Sequence, residues 1–123
     1  MRPLLLCIHM DPNRLMRISL TAMAQGIAVK EVKEGQWGQR IGALCGLEPE
    51  WERPPKAKVD GEMMVMAFFS DWQLDDLLSA IRKNGIEPAR LKAVLTPVNR
   101  TWNCGQLYAQ LMQEDAAMRA RRE

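Results

Sequence analysis

Glu62-Met63-Met64-Val65-Met66-Ala67-Phe68-Phe69-Ser70-Asp71-Trp72-Gln73 passes from an unbroken apolar run into a helix start within twelve residues. A short apolar run with no polar alternation fits a strand buried on both faces. Ser70 followed three residues later by Gln73 is a capping box, in which each side chain satisfies the other's backbone N–H. Leu74, Leu77, Leu78 and Ile81 then recur at the spacing of one helical face, which predicts a helix over Asp71–Lys83. Asn84-Gly85 stops it. Met63, Met64 and Met66 belong to the core around this strand.

The N-terminal stretch has the same shape. Leu4–Met10 is nearly all apolar, and Asp11-Pro12 supplies a cap and a first helical residue that needs no N–H. The predicted helix runs from Pro12 to Gln25, burying Leu15, Ile18, Ala22 and Met23, and Gly26 ends it. The apolar run stops at Ile8 and no small-residue cleavage site follows, so a strand is expected there rather than a signal peptide. Ile27–Val32, with Lys30 and Glu31, reads as an edge strand, and Glu34–Gln36 as a turn. A weaker helix is predicted over Trp37–Leu47; Gly38 and Gly42 each cost it about 1 kcal/mol relative to Ala, which tight packing would offset. Residues 48–61 hold Pro49, Pro54 and Pro55 and read as a surface linker. Leu91–Thr96 alternates as a strand with Leu91, Ala93 and Leu95 on one face, and Pro97 breaks it. Asn99 or Thr101 is expected to cap a last helix reaching Gln113, with Leu107, Tyr108 and Leu111 inward and a frayed charged tail after Glu114.

The order β-α-β-α, repeated twice, favours an α/β fold with helices packed on one sheet. The most apolar strands, the first and third, are expected at the centre. That gives a four-stranded sheet of order 2-1-3-4, mostly parallel, with four helices in a single domain over residues 1–123. Right-handed crossovers make consecutive strands parallel; the direction of strand 1 relative to strand 3 stays open, and a ferredoxin-like α+β arrangement is the alternative. One constant shift lays Leu15 on Leu74, Ile18 on Leu77 and Gly26-Ile27 on Gly85-Ile86. The expectation is two related βαβα halves, 1–47 and 62–113, joined by the linker 48–61.

Composition narrows the function classes. Hydrophobic residues make up 47% of the 123-residue chain, enough apolar surface to offset ordering entropy. No apolar run approaches the ~20 residues of a membrane helix. With 17 Lys+Arg against 15 Asp+Glu, the net charge is +2. The one basic cluster is Arg119, Arg121 and Arg122, so a nucleic-acid partner is not expected, because such binding needs a stripe of phosphate-neutralising cations. Cys7, Cys45 and Cys104 are odd in number and form no CxxC pair. Neither a disulfide framework nor a metal site is expected, and reduced thiols in the cytoplasm are the simpler reading. No Gly-rich phosphate loop is present, and no cofactor is expected.

Leu91-Lys-Ala-Val-Leu-Thr-Pro-Val-Asn-Arg100 resembles the signature of a bacterial family known as domain of unknown function 3783. The preceding strand and helix, Met63–Ile86, are similar too. The resemblance spans roughly residues 62–113. It implies a small bacterial cytoplasmic α/β protein and supplies neither a catalytic residue nor a substrate. Cys104 and Gly105 lie outside the pattern.

Candidate sites follow from the expected sheet. Ligands of open parallel sheets bind beyond the strands' carboxyl ends. Asp11, Ser70, Thr96, Asn99, Arg100 and Thr101 are the ligand-binding candidates there, with Arg100 as the cation for a small anion. Helix capping accounts for Asp11, Ser70 and Asn99 without any ligand. His9, the only histidine, lies two residues after Cys7 and so on the same strand face, but a Cys–His pair lacks a third, orienting group. Cys104 sits where a helix dipole lowers a thiol pKa. Trp72 and Trp102 are interface candidates at two helix starts; Trp37 and Trp51 are hard to bury completely. The resulting expectation is a non-catalytic interaction or binding module, homodimeric, with a small-anion binder or enzyme at the strand ends as the alternative.

Overall fold

In the computed structural model, which describes residues 1–122, the apolar run Leu4–Ile8 is β1. It is followed by α1 (Pro12–Met23), β2 (Ala28–Val32), a 3-10 turn at Glu34–Gln36 and α2 (Ile41–Leu44). The second half holds β3 (Met63–Ala67), α3 (Asp71–Lys83), β4 (Lys92–Val94), a 3-10 turn at Asn99–Thr101 and α4 (Cys104–Arg122). The four strands form one sheet of order β2-β1-β3-β4. β1 and β2 are parallel, as are β3 and β4, but β1 and β3 run antiparallel, with Leu6 opposite Val65. The sheet is therefore mixed, and the direction that the sequence left open is resolved as two parallel pairs back to back.

Both central strands are buried on both faces, which is why their sequences do not alternate. On one face, Leu5, Cys7, Met64 and Met66 pack with Ile18 and Ala22 of α1 and Leu77 and Ile81 of α3. On the other, Leu6, Ile8, Met63, Val65 and Ala67 pack with Trp37, with Ile41 and Leu44 of α2, and with Leu91, Cys104 and Leu107. Ala93 and Leu95 join this second cluster, as their alternation predicts.

The two halves correspond about a pseudo-two-fold axis. Adding 59 carries β1 (4–8) onto β3 (63–67), cap Asp11 onto cap Ser70, and Gly26 (φ +76°) onto Gly85 (φ +70°). It also carries His9 (φ 52°) onto Phe68 (φ 66°), the two non-glycine residues with positive φ among the described residues. Leu4 pairs with Ala28 in the first half and Met64 with Lys92 in the second, so the second crossover is the longer by four positions. The offset becomes 63 beyond it. That offset carries Ile41–Leu44 onto Cys104–Leu107 and Gly42 onto Gly105. The facing pairs Leu6–Val65 and Arg40–Asn103 are each related by the local offset, so both lie at the axis.

The predicted helix over 37–47 shrinks to the single turn Ile41–Leu44. The backbone around it is committed elsewhere. Trp37 is buried and its indole donates to the Val32 carbonyl at 3.2 Å. The Gln39 amide clamps the Trp51 backbone at 2.6 and 2.8 Å. Gly38 takes the Pro55 carbonyl so closely that a Cβ would lie 1.6 Å from its oxygen. Residues 48–61 are therefore packed against the body, with Val59 buried.

Other boundaries also move. Met23, expected in the core, is exposed, whereas Ile18 and Ala22 are fully buried. Neither Asn99 nor Thr101 caps the last helix. Asn103 does, accepting from the Gln106 N–H at 2.9 Å while Gln106 accepts from the Asn103 N–H at 2.8 Å. The tail does not fray after Glu114 but stays helical to Arg122. Asp115 anchors it, accepting from Arg90 and lying 3.2 Å from Arg119. Arg14 of α1 joins the two halves through a bidentate pair with Glu62, at 2.7 and 2.9 Å.

Two outcomes test this packing. Gly38→Ala should lower unfolding stability by roughly 3 kcal/mol, because a backbone carbonyl rather than a mobile side chain must move. Gly35→Ala, where an added Cβ meets nothing within 4 Å, should instead be neutral or raise stability by up to about 1 kcal/mol, both read by denaturant titration. The Arg90 hydrogen bond, aided by Arg119, holds the Asp115 carboxyl below its usual range. Its stabilisation is present above the unfolded carboxyl's pKa and is lost as pH falls through the lower folded value. Amide NMR signals of residues 113–122 should therefore broaden or shift on acidification before those of residues 104–111, and simultaneous loss would show that the pair does not dock the tail.

Candidate functional site

The antiparallel β1–β3 pairing sends the expected strand-end site to two places. β1 ends beside the start of β3, with Ile8 opposite Met63, so Asp11 lies at the opposite end of the sheet from Ser70. β4 is parallel to β3, so Thr96, Asn99, Arg100 and Thr101 fall at the same end as Ser70. The six residues do not form one cluster.

Most of their polar atoms are already engaged. Asp11 Oδ2 accepts from the N–H groups of Asn13 and Arg14 at 3.0 and 3.2 Å. Ser70 Oγ accepts from the Gln73 N–H at 3.3 Å, and Gln73 Oε1 accepts from the Ser70 N–H at 2.9 Å, the capping box expected. Thr96 and Asn99 lock each other: Thr96 Oγ1 accepts from the Asn99 N–H at 3.0 Å, and Asn99 Oδ1 accepts from the Thr96 N–H at 2.8 Å. Asn99 is buried and also donates to the Val94 carbonyl at 2.9 Å. The Thr96-Pro97-Val98-Asn99 run is thus a self-satisfied turn closing β4. Thr101 donates to the Val98 carbonyl at 2.8 Å. Arg100, half-buried, has no ion-pair or hydrogen-bond partner for its side chain among the described residues.

Arg100 opens onto a cleft of about 320 Å³. Its walls are Leu47, Phe68, Phe69, Val94, Leu95 and Pro97, with Thr96 at the rim and no acidic side chain in the lining. At the pseudo-equivalent end, a cleft of about 490 Å³ is lined by His9, Trp37 and Val59, with Glu34, Lys58 and Asp60 around them. His9 Nδ1 lies 2.8 Å from the Val59 carbonyl, which only accepts, so Nδ1 carries the proton. The ring also sits 5.1 Å from Trp37, tilted by 41°.

The Cys7–His9 pairing does not form. The positive φ of His9 turns its ring toward Trp37, on the α2–α4 face, while Cys7 is packed on the α1–α3 face. Because Phe68 shares that backbone conformation, the strain belongs to the strand-to-helix junction of both halves and not to histidine chemistry. For Cys104, burial overrides the helix dipole. Its thiol is pushed up to about 12, as is that of Cys7, and Cys45 rises to about 11.

The two interface tryptophans part company. Trp72 is 66% exposed on α3, whereas Trp102 is half-buried and packs on the α2–α4 face, so they share no patch. An apolar surface that the sequence reading passed over lies on α1, where Met16, Leu20 and Met23 stand exposed. Its signal was a helix carrying apolar residues at 16, 20 and 23 in addition to its core set at 15, 18 and 22. The aromatic walls of the Arg100 cleft were also missed, because Phe68 and Phe69 read as one more stretch of buried strand. Among the described residues, no helix is long and apolar enough to cross a membrane.

No curated protein and no solved structure matches the chain. Residues 62–118 match the model of the family described as Domain of unknown function (DUF3783), so β3, α3, β4 and most of α4 are the part of the chain that this family describes.

Proposed function

We propose that the chain is a non-catalytic interaction module that docks through the outer side of α1, a second copy of itself being its first partner. The observation that carries this reading is the stripe Met16, Leu20 and Met23, exposed by 55%, 62% and 60%. At i, i+4 and i+7 the three side chains stand on one helix side, away from the core set. Together they offer roughly 300 Å² of apolar surface, the size at which an exposed patch on a folded domain is often functional. Two such stripes brought together by a two-fold axis give a self-complementary contact, the commonest form of dimer.

The chemistry available elsewhere supports a role without catalysis. The three thiols are buried and held protonated, and the single histidine has no nucleophile beside it. Buried, unpaired thiols also suit the bacterial cytoplasmic setting that the family resemblance implies. The matched caps, stops and positive-φ residues of the two halves fit descent from one βαβα unit.

Size-exclusion chromatography with light scattering tests the docking surface. The wild-type chain should run at twice the mass of one chain at high concentration, and Leu20→Glu with Met16→Glu should return it to the mass of a single chain. Unfolding stability should change by no more than about 0.5 kcal/mol, because both sites are exposed. A wild type that keeps the single-chain mass at every concentration would remove self-association. Thiol titration tests the non-catalytic reading: all three cysteines should react with an aromatic disulfide reagent only as fast as the protein opens, and one rapidly reacting thiol in the native state would overturn it.

A further inference from the structure

We infer that the Phe68–Arg100 cleft is a binding site for a small amphiphilic monocarboxylate, a molecule with one carboxylate on an aromatic or branched aliphatic body. This inference goes beyond the docking surface on α1 and is independent of it, since no residue of α1 lines the cleft.

Three observations carry it. First, the Arg100 guanidinium has neither an ion pair nor a hydrogen bond among the described residues, although the side chain is half-buried. The other half-buried guanidinium, Arg14, is held by both oxygens of Glu62. A planar fork of donors is well suited to a carboxylate, which it can bind through two parallel hydrogen bonds. Second, the Arg100 side chain is laid down across α2. A Cβ added at Gly42 would meet the Arg100 carbonyl oxygen at 3.1 Å, its Cβ at 3.3 Å and its Nε at 3.5 Å. The absence of a side chain at Gly42 thus gives the stem its bed and points the head at the cleft. Third, the walls are apolar. Leu47, Phe68, Phe69 and Leu95 line an open cleft of about 320 Å³, at the small end of the range for ligand sites.

The correspondence between halves isolates what is special here. The two 3-10 turns, Glu34–Gln36 and Asn99–Thr101, end at Trp37 and Trp102, whose carbonyls accept reciprocally from the Cys104 and Ile41 N–H groups, so Arg100 takes the place of Gly35. Under the offset of 59, Phe68 takes the place of His9. In the first half the place of Arg100 is thus a glycine with no side chain and open space around it. In the second, a cation with no partner stands in that place, beside two phenylalanines.

Charge and donor count set the ligand class. Arg100 is the only charged group in the lining, which matches a single negative charge. The backbone N–H groups of Thr96 and Asn99, which would otherwise help hold a phosphate, are already taken by each other's side chains. A dianion would bring a second charge that no group in the lining neutralises, whereas a monocarboxylate with an apolar body uses both the cation and the walls.

Amide NMR titration of the full chain with phenylacetate is the test, with phenylacetamide as the neutral analogue and inorganic phosphate as the bare anion. Phenylacetate should give saturable shifts at Leu47, Phe68, Phe69, Leu95 and Arg100, with a Kd in the low millimolar range, about what ten heavy atoms of ordinary ligand efficiency supply. Phenylacetamide and phosphate should each bind at least about 10-fold more weakly, a difference of about 1.4 kcal/mol. Arg100→Gln should abolish the preference for acid over amide, and Arg100→Lys should retain only part of it. Equal binding of acid and amide by the wild type overturns the site without recourse to any variant. So do shifts that map outside the cleft, and so does phosphate binding as tightly as phenylacetate.

Discussion

The antiparallel pairing of β1 with β3 is the constraint on which the rest of the molecule depends. Leu6 opposite Val65 places a pseudo-two-fold axis between the strands. Once the two central strands run in opposite directions, each carries its own parallel partner outward, β2 on one side and β4 on the other. The same axis brings the starts of α2 and α4 together on one face, where Arg40 bridges to Asn103 and the Ile41 N–H donates to the Trp102 carbonyl at 2.7 Å. On the opposite face it lays α1 beside α3. There Arg17 donates to the Asn84 carbonyl at 3.1 Å and the Asn84 amide to Thr21 at 3.2 Å. Turning one half over would separate all of these contacts.

The same constraint explains how far the sequence could be read. Element types and the 2-1-3-4 order were legible because they rest on local signals. The Leu4–Ile8 and Met63–Ala67 runs are apolar on both faces, and Ser70 with Gln73 and Asp11 with Pro12 mark helix starts. Relative direction across the centre was not legible, since an apolar strand packs equally well either way up. The candidate site depended on that direction. Asp11 had been grouped with Ser70 and Arg100 on the premise of one common set of strand ends, and the antiparallel centre puts it at the far end.

Shorter-range misses have other causes. The helix expected over Trp37–Leu47 lost to tertiary demands on three successive residues, Trp37, Gly38 and Gln39, each tied to a different partner. Asn99 looked like a helix cap because asparagine favours caps, yet it closes the Thr96–Asn99 turn, and Asn103 further along the chain takes the cap. The dipole argument for Cys104 named a real effect of modest size. A fully buried thiol loses more from desolvation of its thiolate than the first turn of a helix returns, so the shift runs upward.

The two halves also show how one frame can hold different contents. The Thr96–Asn99 turn satisfies its own backbone and so needs nothing from Arg100, the next residue in the chain. In the first half the equivalent place is Gly35, while Trp37, two residues on, closes the core beside His9 and the Pro55 backbone seals Gly38. In the second half Trp102 takes the corresponding place against the core, and the Thr96–Asn99 turn closes on itself. Arg100 is therefore released from any structural duty that its guanidinium could perform. A half-buried guanidinium without such a duty costs desolvation and gains neither an ion pair nor a hydrogen bond in return. The fold tolerates that cost at Arg100, in the half of the chain that carries the DUF3783 match, while the corresponding residue of the other half, Gly35, has no side chain.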